Sequence, residues 1–202
     1  MRIKNGVLLG SITRRASRLL KPGSNKRISH VEPHIGIVTT GWAADAREIV
    51  NIARREAVNY RESYKIPPPV NQMTRMLSFY VHAHTLYSSV RPFGVNALVA
   101  GKDDNGYQLY LMEPSGEFWG YRGCVVGKGQ KEVKTQLERI DLDNLDPHIG
   151  IQKIVRMLLK AHKDSEKEEP YNIELSWICD ETNGIHEKVP EEIVQQAIER
   201  FE

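Results

Sequence analysis

Two consecutive amphipathic helices set between runs of strands constrain this chain more than any other feature. Ala46, Ile49, Val50, Ala53, Ala57, Tyr60 and Tyr64 recur at helical spacing, while Arg47, Glu48, Asn51, Arg54, Arg55 and Arg61 occupy the other faces. Asp45 suits the first turn, where a negative charge meets the positive end of the helix dipole. Pro67-Pro68-Pro69 stops this helix and offers a proline for the first turn of the next, where its missing N–H costs nothing. Val70, Met73, Leu77, Tyr80, Val81 and His84 then form a second apolar stripe. Ahead of the pair, residues 7–9 read as a short strand and residues 35–40 as another, ending at Gly41.

Behind the pair, the Arg91-Pro92-Phe93-Gly94 break leads into three strand candidates, residues 96–100, 107–113 and 117–122. Asn105-Gly106 and Pro114-Ser115-Gly116 turns join them into an antiparallel meander. In the middle strand Tyr107, Leu109 and Leu111 point one way and Tyr110 and Met112 the other, so both faces of the sheet are predicted to be covered. Two more helices follow, one carrying Val133, Leu137 and Ile140, the next Ile151, Ile154, Val155, Leu158, Leu159 and His162. Residues 173–179 and 185–189 resume as strands, and Pro190 opens a last helix with Ile193, Val194, Ala197, Ile198 and Phe201 inward. Residues 165–170 read as a solvated loop. This order argues against a βαβ dinucleotide fold and for an α+β fold of antiparallel sheets covered by helix pairs. With 202 residues and 40% hydrophobic composition, one domain spanning residues 1–202 is expected.

Charge and cysteine usage narrow the function classes. Residues 1–31 hold eight basic and no acidic side chains, so the chain divides into +8 followed by −6. A nucleic-acid arm or a mitochondrial presequence would fit that start. A basic rim fits better, because Gly6-Val7-Leu8-Leu9-Gly10 reads as a strand and no aromatic residue is interleaved with the charges. Neither a nucleic-acid nor a membrane partner is therefore expected; no apolar run is long enough to span a bilayer. Cys124 and Cys179 form no C-x-x-C pair, and a chain of this size needs no disulfide scaffold, which points to the reducing cytoplasm and nucleus.

Catalytic and metal-binding patterns are weak. His82 and His84 are two apart on a helix and diverge, while His30 and His34 lie in an extended segment without a carboxylate-rich motif, so no metal and no cofactor is expected. Gly127-Lys128-Gly129 lacks the spacing of a phosphate-binding loop and reads as a turn that starts a helix. Cys124 has no histidine nearby in sequence to mark it as a nucleophile, and a buried structural thiol is expected there. Arg14-Arg15-Ala16-Ser17 has the form of a basophilic kinase site, a pattern short enough to recur by chance.

One resemblance spans nearly the whole chain. Gly23-Ser24-Asn25-Lys26-Arg27-Ile28, Thr40-Gly41-Trp42-Ala43-Ala44-Asp45-Ala46-Arg47 and Tyr80-Val81-His82-Ala83-His84-Thr85-Leu86-Tyr87, running into Val90-Arg91-Pro92-Phe93-Gly94-Val95, stand in order. This set resembles the alpha subunits of the proteasome. Tyr110-Leu111-Met112-Glu113-Pro114-Ser115-Gly116, Gly120-Tyr121-Arg122-Gly123-Cys124, Glu174-Leu175-Ser176-Trp177, Thr182-Asn183-Gly184 and Val189-Pro190 narrow it to one eukaryotic branch of that family. The resemblance implies an N-terminal-nucleophile hydrolase-like four-layer αββα sandwich with two antiparallel sheets. It implies a non-catalytic structural role in the outer, seven-membered alpha ring of the 20S core particle, serving ring assembly, substrate gating and activator docking in ubiquitin-dependent degradation. The partners it implies are other alpha subunits, beta-ring subunits, and the C-terminal tails of regulatory particles or activators.

The family's catalytic sisters use an N-terminal threonine supported by an acidic residue and a lysine. Here the acidic position falls on Ile12 and the lysine position on or beside Lys26-Arg27, so no catalytic residue is expected. The alternative, a self-processed threonine hydrolase of the beta type, would need cleavage after Ile12 to free Thr13. The family's gate segment and first helix have no match in this sequence. By the same resemblance, Lys26, Arg27, Gly41 and Trp42 are the expected activator-tail site, with Arg27 in place of the usual lysine.

Overall fold

A computed structural model describes residues 1–14, 17, 19–21, 23–163 and 170–201. The loop expected at residues 165–170 lies outside the described residues except for Pro170, as do Arg15 and Ala16 of the kinase-like motif.

In chain order the elements are β1 (Arg2–Ile3), β2 (Gly6–Arg14), β3 (Ile28–Glu32), β4 (Ile35–Gly41), α1 (Ala43–Tyr64), α2 (Val70–Leu86), β5 (Val95–Asp103), β6 (Gly106–Met112), β7 (Phe118–Gly120), α3 (Gln130–Leu137), α4 (Pro147–Lys163), β8 (Tyr171–Cys179), β9 (Glu187–Lys188) and α5 (Glu191–Glu199). They build two antiparallel sheets, ordered β1-β2-β8-β9 and β3-β4-β5-β6-β7.

Alternation of side chains along the strands creates the layers. Val7 and Leu9 of β2 and Ile178 of β8 face Val38, Leu98, Ala100, Leu109 and Leu111 of the other sheet, forming a core between the sheets. Leu8, Leu175 and Trp177 point the opposite way and pack with α3, α4 and α5 through Leu137, Ile151, Val155 and Val194. On the second sheet Ile35, Ile37, Ala97, Val99 and Met112 meet Ile49, Ile52 and Ala53 of α1 and Met73 and Leu77 of α2. Three clusters thus fill the three interfaces of a four-layer αββα sandwich, the N-terminal-nucleophile hydrolase-like arrangement. The fully buried Val, Leu and Ile side chains among these contribute about 2 kcal/mol each. The middle strand follows the expected parity: Tyr107, Leu109 and Leu111 lie toward the inter-sheet core, and Tyr110 and Met112 toward the helices.

Several boundaries differ from the sequence pattern. The first long strand runs from Gly6 to Arg14, because β8 offers a partner at every position from Cys179 to Tyr171 and the ladder continues past the apolar run. Strand β3 shows no clean alternation; Ser29, His30 and Glu32 are polar, yet the strand pairs with β4 as the edge of its sheet. The two-residue β1 was equally invisible in the pattern. Helix α3 ends at Leu137, although Ile140 still packs on the same core. The strand expected over residues 185–189 shrinks to Glu187–Lys188, since the His186 N–H turns to the Pro33 carbonyl.

Candidate partner-binding site

Arg27 stands immediately before β3 and Gly41 closes β4, so the pairing of these two strands brings positions fourteen residues apart together. The Arg27 N–H and the Ile28 N–H both donate to Oε2 of Glu174 on β8, at 3.0 and 3.1 Å. The Arg27 carbonyl accepts from the Thr39 N–H at 3.0 Å. With its backbone held by both sheets, the guanidinium reaches along the sheet end and donates through Nη1 to the Gly41 carbonyl at 2.9 Å. That bond uses one of the five N–H donors of the fork. Lys26 beside it is exposed.

Gly41 has a φ of 122°, and a Cβ placed there would lie 2.0 Å from the Gly94 carbonyl oxygen. Only glycine accepts both conditions. The missing side chain of Gly41 faces Gly94, and the next N–H, of Trp42, donates to that same carbonyl at 3.1 Å. Trp42 caps α1 without a side-chain bond and remains 65% exposed.

A buried carboxylate fixes this corner. Asp45, in the first turn of α1, accepts two N–H groups of Arg91 at 2.7 and 2.8 Å and the Gly94 N–H at 3.0 Å. The Arg91 hydrogen bonds, then that from Gly94, hold its carboxyl down to about 2. The Arg91 guanidinium carbon also lies 5.1 Å from the centre of the Trp42 ring. Glu174, Asp45 and Arg91 therefore position the candidate site, and spacing along the sequence gave no hint of the long-range contact from Glu174.

Arg27 and Gly41 line a cavity of about 520 Å³ that runs between β2, β4 and α4. Its walls are largely apolar, including Val38, Leu98, Ile154 and Leu158, and Arg14 and Lys128 add basic groups. Lys26 and Trp42 are not among its lining residues, so the structure joins two of the four expected site residues in one cavity and leaves the others on the adjoining surface. Ile12 and Thr13 line it too. Thr13 pairs with Asn172 inside the β2–β8 ladder, so its nitrogen is a peptide nitrogen within a strand, and Ile12 has no proton to exchange. Freeing the Thr13 amine would mean cutting β2 inside that ladder, which disfavours N-terminal threonine chemistry here.

The other chemistry-bearing residues have structural roles. His34, His82 and His84 each hydrogen-bond a backbone carbonyl, of Pro68, Ser115 and Tyr80 respectively. Gly129 caps α3 with a φ of 78°, the helix start that Gly127-Lys128-Gly129 predicted. Burial pushes the Cys124 thiol up to about 11, which leaves it protonated at neutral pH.

The family model described as "Proteasome subunit" matches residues 1–178. The chain is 39% identical to proteasome subunit alpha type-3 of Dictyostelium discoideum over 197 residues, covering 98% of this chain and 79% of that protein. It is 39% identical to proteasome subunit alpha type-3 of Spinacia oleracea, over 98% of this chain and 79% of that protein. It is 41% identical to the probable proteasome subunit alpha type-7 of Schizosaccharomyces pombe, over 98% of this chain and 78% of that protein.

Proposed function

The chain belongs to the proteasome subunit family, and we propose that it works as an alpha-ring scaffold whose Arg27 corner receives the C-terminal tails of activators. It is a non-catalytic alpha subunit: similarity to named alpha subunits extends over 98% of the chain, and Thr13 is locked into a strand. The beta-type alternative is not favoured. In this reading it assembles laterally with other alpha subunits, stacks on beta subunits, and serves substrate gating and ubiquitin-dependent proteolysis in the cytoplasm and nucleus.

The observation that carries the docking role is the Arg27–Gly41 contact. It aims a guanidinium while leaving donors for a carboxylate, which the planar fork binds through two parallel N–H bonds. Exposed Lys26 adds positive charge, and the exposed Trp42 ring offers an apolar wall beside it. The test is assembly of rings carrying Arg27→Ala by co-expression with partner subunits, followed by titration with an activator-tail peptide. Docking weakens by a few-fold, limited by avidity at the remaining sites of the ring. Unchanged binding, at a peptide concentration that saturates the wild-type site, removes Arg27 from the role.

A further inference from the structure

We propose that the cavity behind Arg27 is a binding site for a medium-chain aliphatic carboxylate, with the hydrocarbon chain between β2 and α4 and the carboxylate at Arg27 and Lys128. The site shares Arg27 with the docking role proposed above and does not rest on that role.

Size, wall chemistry and charge all bear on what fits there. The volume, about 520 Å³, falls within the range of small-molecule sites. The deep walls are apolar and shielded from solvent: Leu9 of β2, Val38 of β4, Leu98 of β5, and Ile154 and Met157 of α4 are each less than a tenth exposed. The lining includes Arg14, Arg27, Lys128 and His162 and, among the described residues, no Asp or Glu. In a chain with 26 acidic side chains against 28 Lys and Arg, such one-sidedness selects for an anion. The Arg27 and Lys128 charges stand at the solvent end, Lys128 exposed and Arg27 half-buried. Gly127 carries Lys128 to that end: with a φ of 105° its backbone runs against β4, where a Cβ on it would lie 3.4 Å from Oγ1 of Thr40. The Glu174 carboxylate accepts from the Arg27 and Ile28 N–H groups and does not line the cavity.

A saturated acyl chain suits these walls because it carries no group that needs a hydrogen bond, so nothing polar is buried unpaired along its length. Each of its methylenes gains dispersion contact with the side chains around it. A peptide brings a donor and an acceptor with every residue, and aliphatic side chains can satisfy neither. The carboxyl group, ionised at neutral pH like that of a glutamate side chain, meets the Arg27 fork through charge-assisted bonds. One N–H of that fork is held by the Gly41 carbonyl, which aims the rest. Lys128 adds a point charge to the same end of the cavity.

The experiment titrates the purified chain with octanoate, decanoate and dodecanoate, each below its micelle concentration, by isothermal titration calorimetry. One carboxylate binds per chain, and affinity rises roughly tenfold with each added pair of methylenes. Arg27→Gln weakens decanoate binding about tenfold and Lys128→Gln several-fold, while neither changes binding of the neutral 1-decanol. Leu158 and Ala161 of α4 line the cavity, so Leu158→Trp fills it and abolishes binding of both compounds. Ala161→Leu, a smaller filling substitution on the same helix, repeats the loss where the tryptophan prevents folding; circular dichroism checks each variant. No saturable binding, or an affinity indifferent to chain length, overturns the site, as does binding that survives both filling substitutions in folded protein. Equal losses of decanoate and decanol in Arg27→Gln overturn the anionic head group. In assembled rings, tail-peptide docking left unchanged by Arg27→Ala removes the docking role alone, and decanoate binding by the same rings upholds this site.

Discussion

Oγ of Ser176 on β8 lies 2.8 Å from Nε2 of His186, whose Nδ1 lies 2.9 Å from Nδ1 of His30 on β3. The His186 ring rests where a Cβ on Gly36 would sit, 2.5 Å from it, so the imidazole joins the two sheets at one edge of the sandwich. The relay connects a 2%-exposed histidine to an exposed one.

The relay makes stability pH-dependent. Burial first, and the neighbouring His30 second, push His186 from an ordinary 6.5 down to about 4. The unfolded chain takes up this proton below pH 6.5 and the folded chain does not until about pH 4. The contribution is therefore fully present above pH 6.5 and is lost as pH falls toward 4, by up to roughly 3 kcal/mol. The groups facing the ring are His30 from β3, Ser176 from β8 and, through the His30 carbonyl, Arg54 from α1. Urea midpoints measured at steps from pH 7.5 to 4.5 fall steeply in the wild type and less steeply in His186→Gln. Parallel slopes in the two proteins would sink this assignment.

Removing Asp45 should cost more than removing a typical surface pair. Its carboxylate is buried while Arg91 is mostly exposed, so Asp45→Ala strands the Gly94 N–H and frees the loop before β5. A loss of about 3 kcal/mol is expected in urea unfolding, with Arg91→Ala close behind because it leaves the carboxylate buried with its Gly94 N–H but without its cation. Arg91→Lys recovers only part, since an ammonium cannot reproduce the two-pronged contact. A change below about 0.5 kcal/mol for Asp45→Ala would mean that the pair is ornamental.

Gly41→Ala tests the backbone of the candidate site. The added carbon meets the Gly94 carbonyl and a φ of 122° penalises any side chain, so the loop must move. A loss of about 2 kcal/mol or more is expected, together with a shift in Trp42 emission, because the Trp42 N–H bond to Gly94 is the adjoining contact. Gly23→Ala, where nothing lies within 4 Å but φ is also positive, is the control and costs less. Equal losses at both positions would show that strain alone, without the Gly94 contact, decides the matter.

Peptidase activity should be absent from the purified chain. Thr13→Ala leaves that absence unchanged, since Thr13 is held in β2 opposite Asn172 with its nitrogen in a peptide bond. Turnover of a fluorogenic peptide that is abolished by a threonine-directed inhibitor would reopen the catalytic reading.

The sequence by itself determined that antiparallel sheets are covered by helix pairs, and the four-layer order followed from the family resemblance. Period-two alternation in residues 107–112 and period-3.6 stripes from Ala46 to Tyr60 and from Val70 to Val81 depend only on which side chains avoid water, and the buried clusters follow that parity. Tyr64 at the end of the first stripe is exposed, whereas the fully buried Ile52 falls outside that stripe. The motifs also carried the family. Strand β3 escaped because an edge strand needs little apolar surface and takes its order from the backbone bonds of β4. Tertiary structure alone decided how the Arg27 corner is made. Glu174, 147 residues away, holds the Arg27 backbone, Gly94 fills the space that Gly41 vacates, and Arg91 neutralises Asp45. These are hydrogen bonds and close approaches between segments distant along the chain. No local periodicity encodes such partners; they become neighbours only when burial of the apolar faces brings the two sheets together.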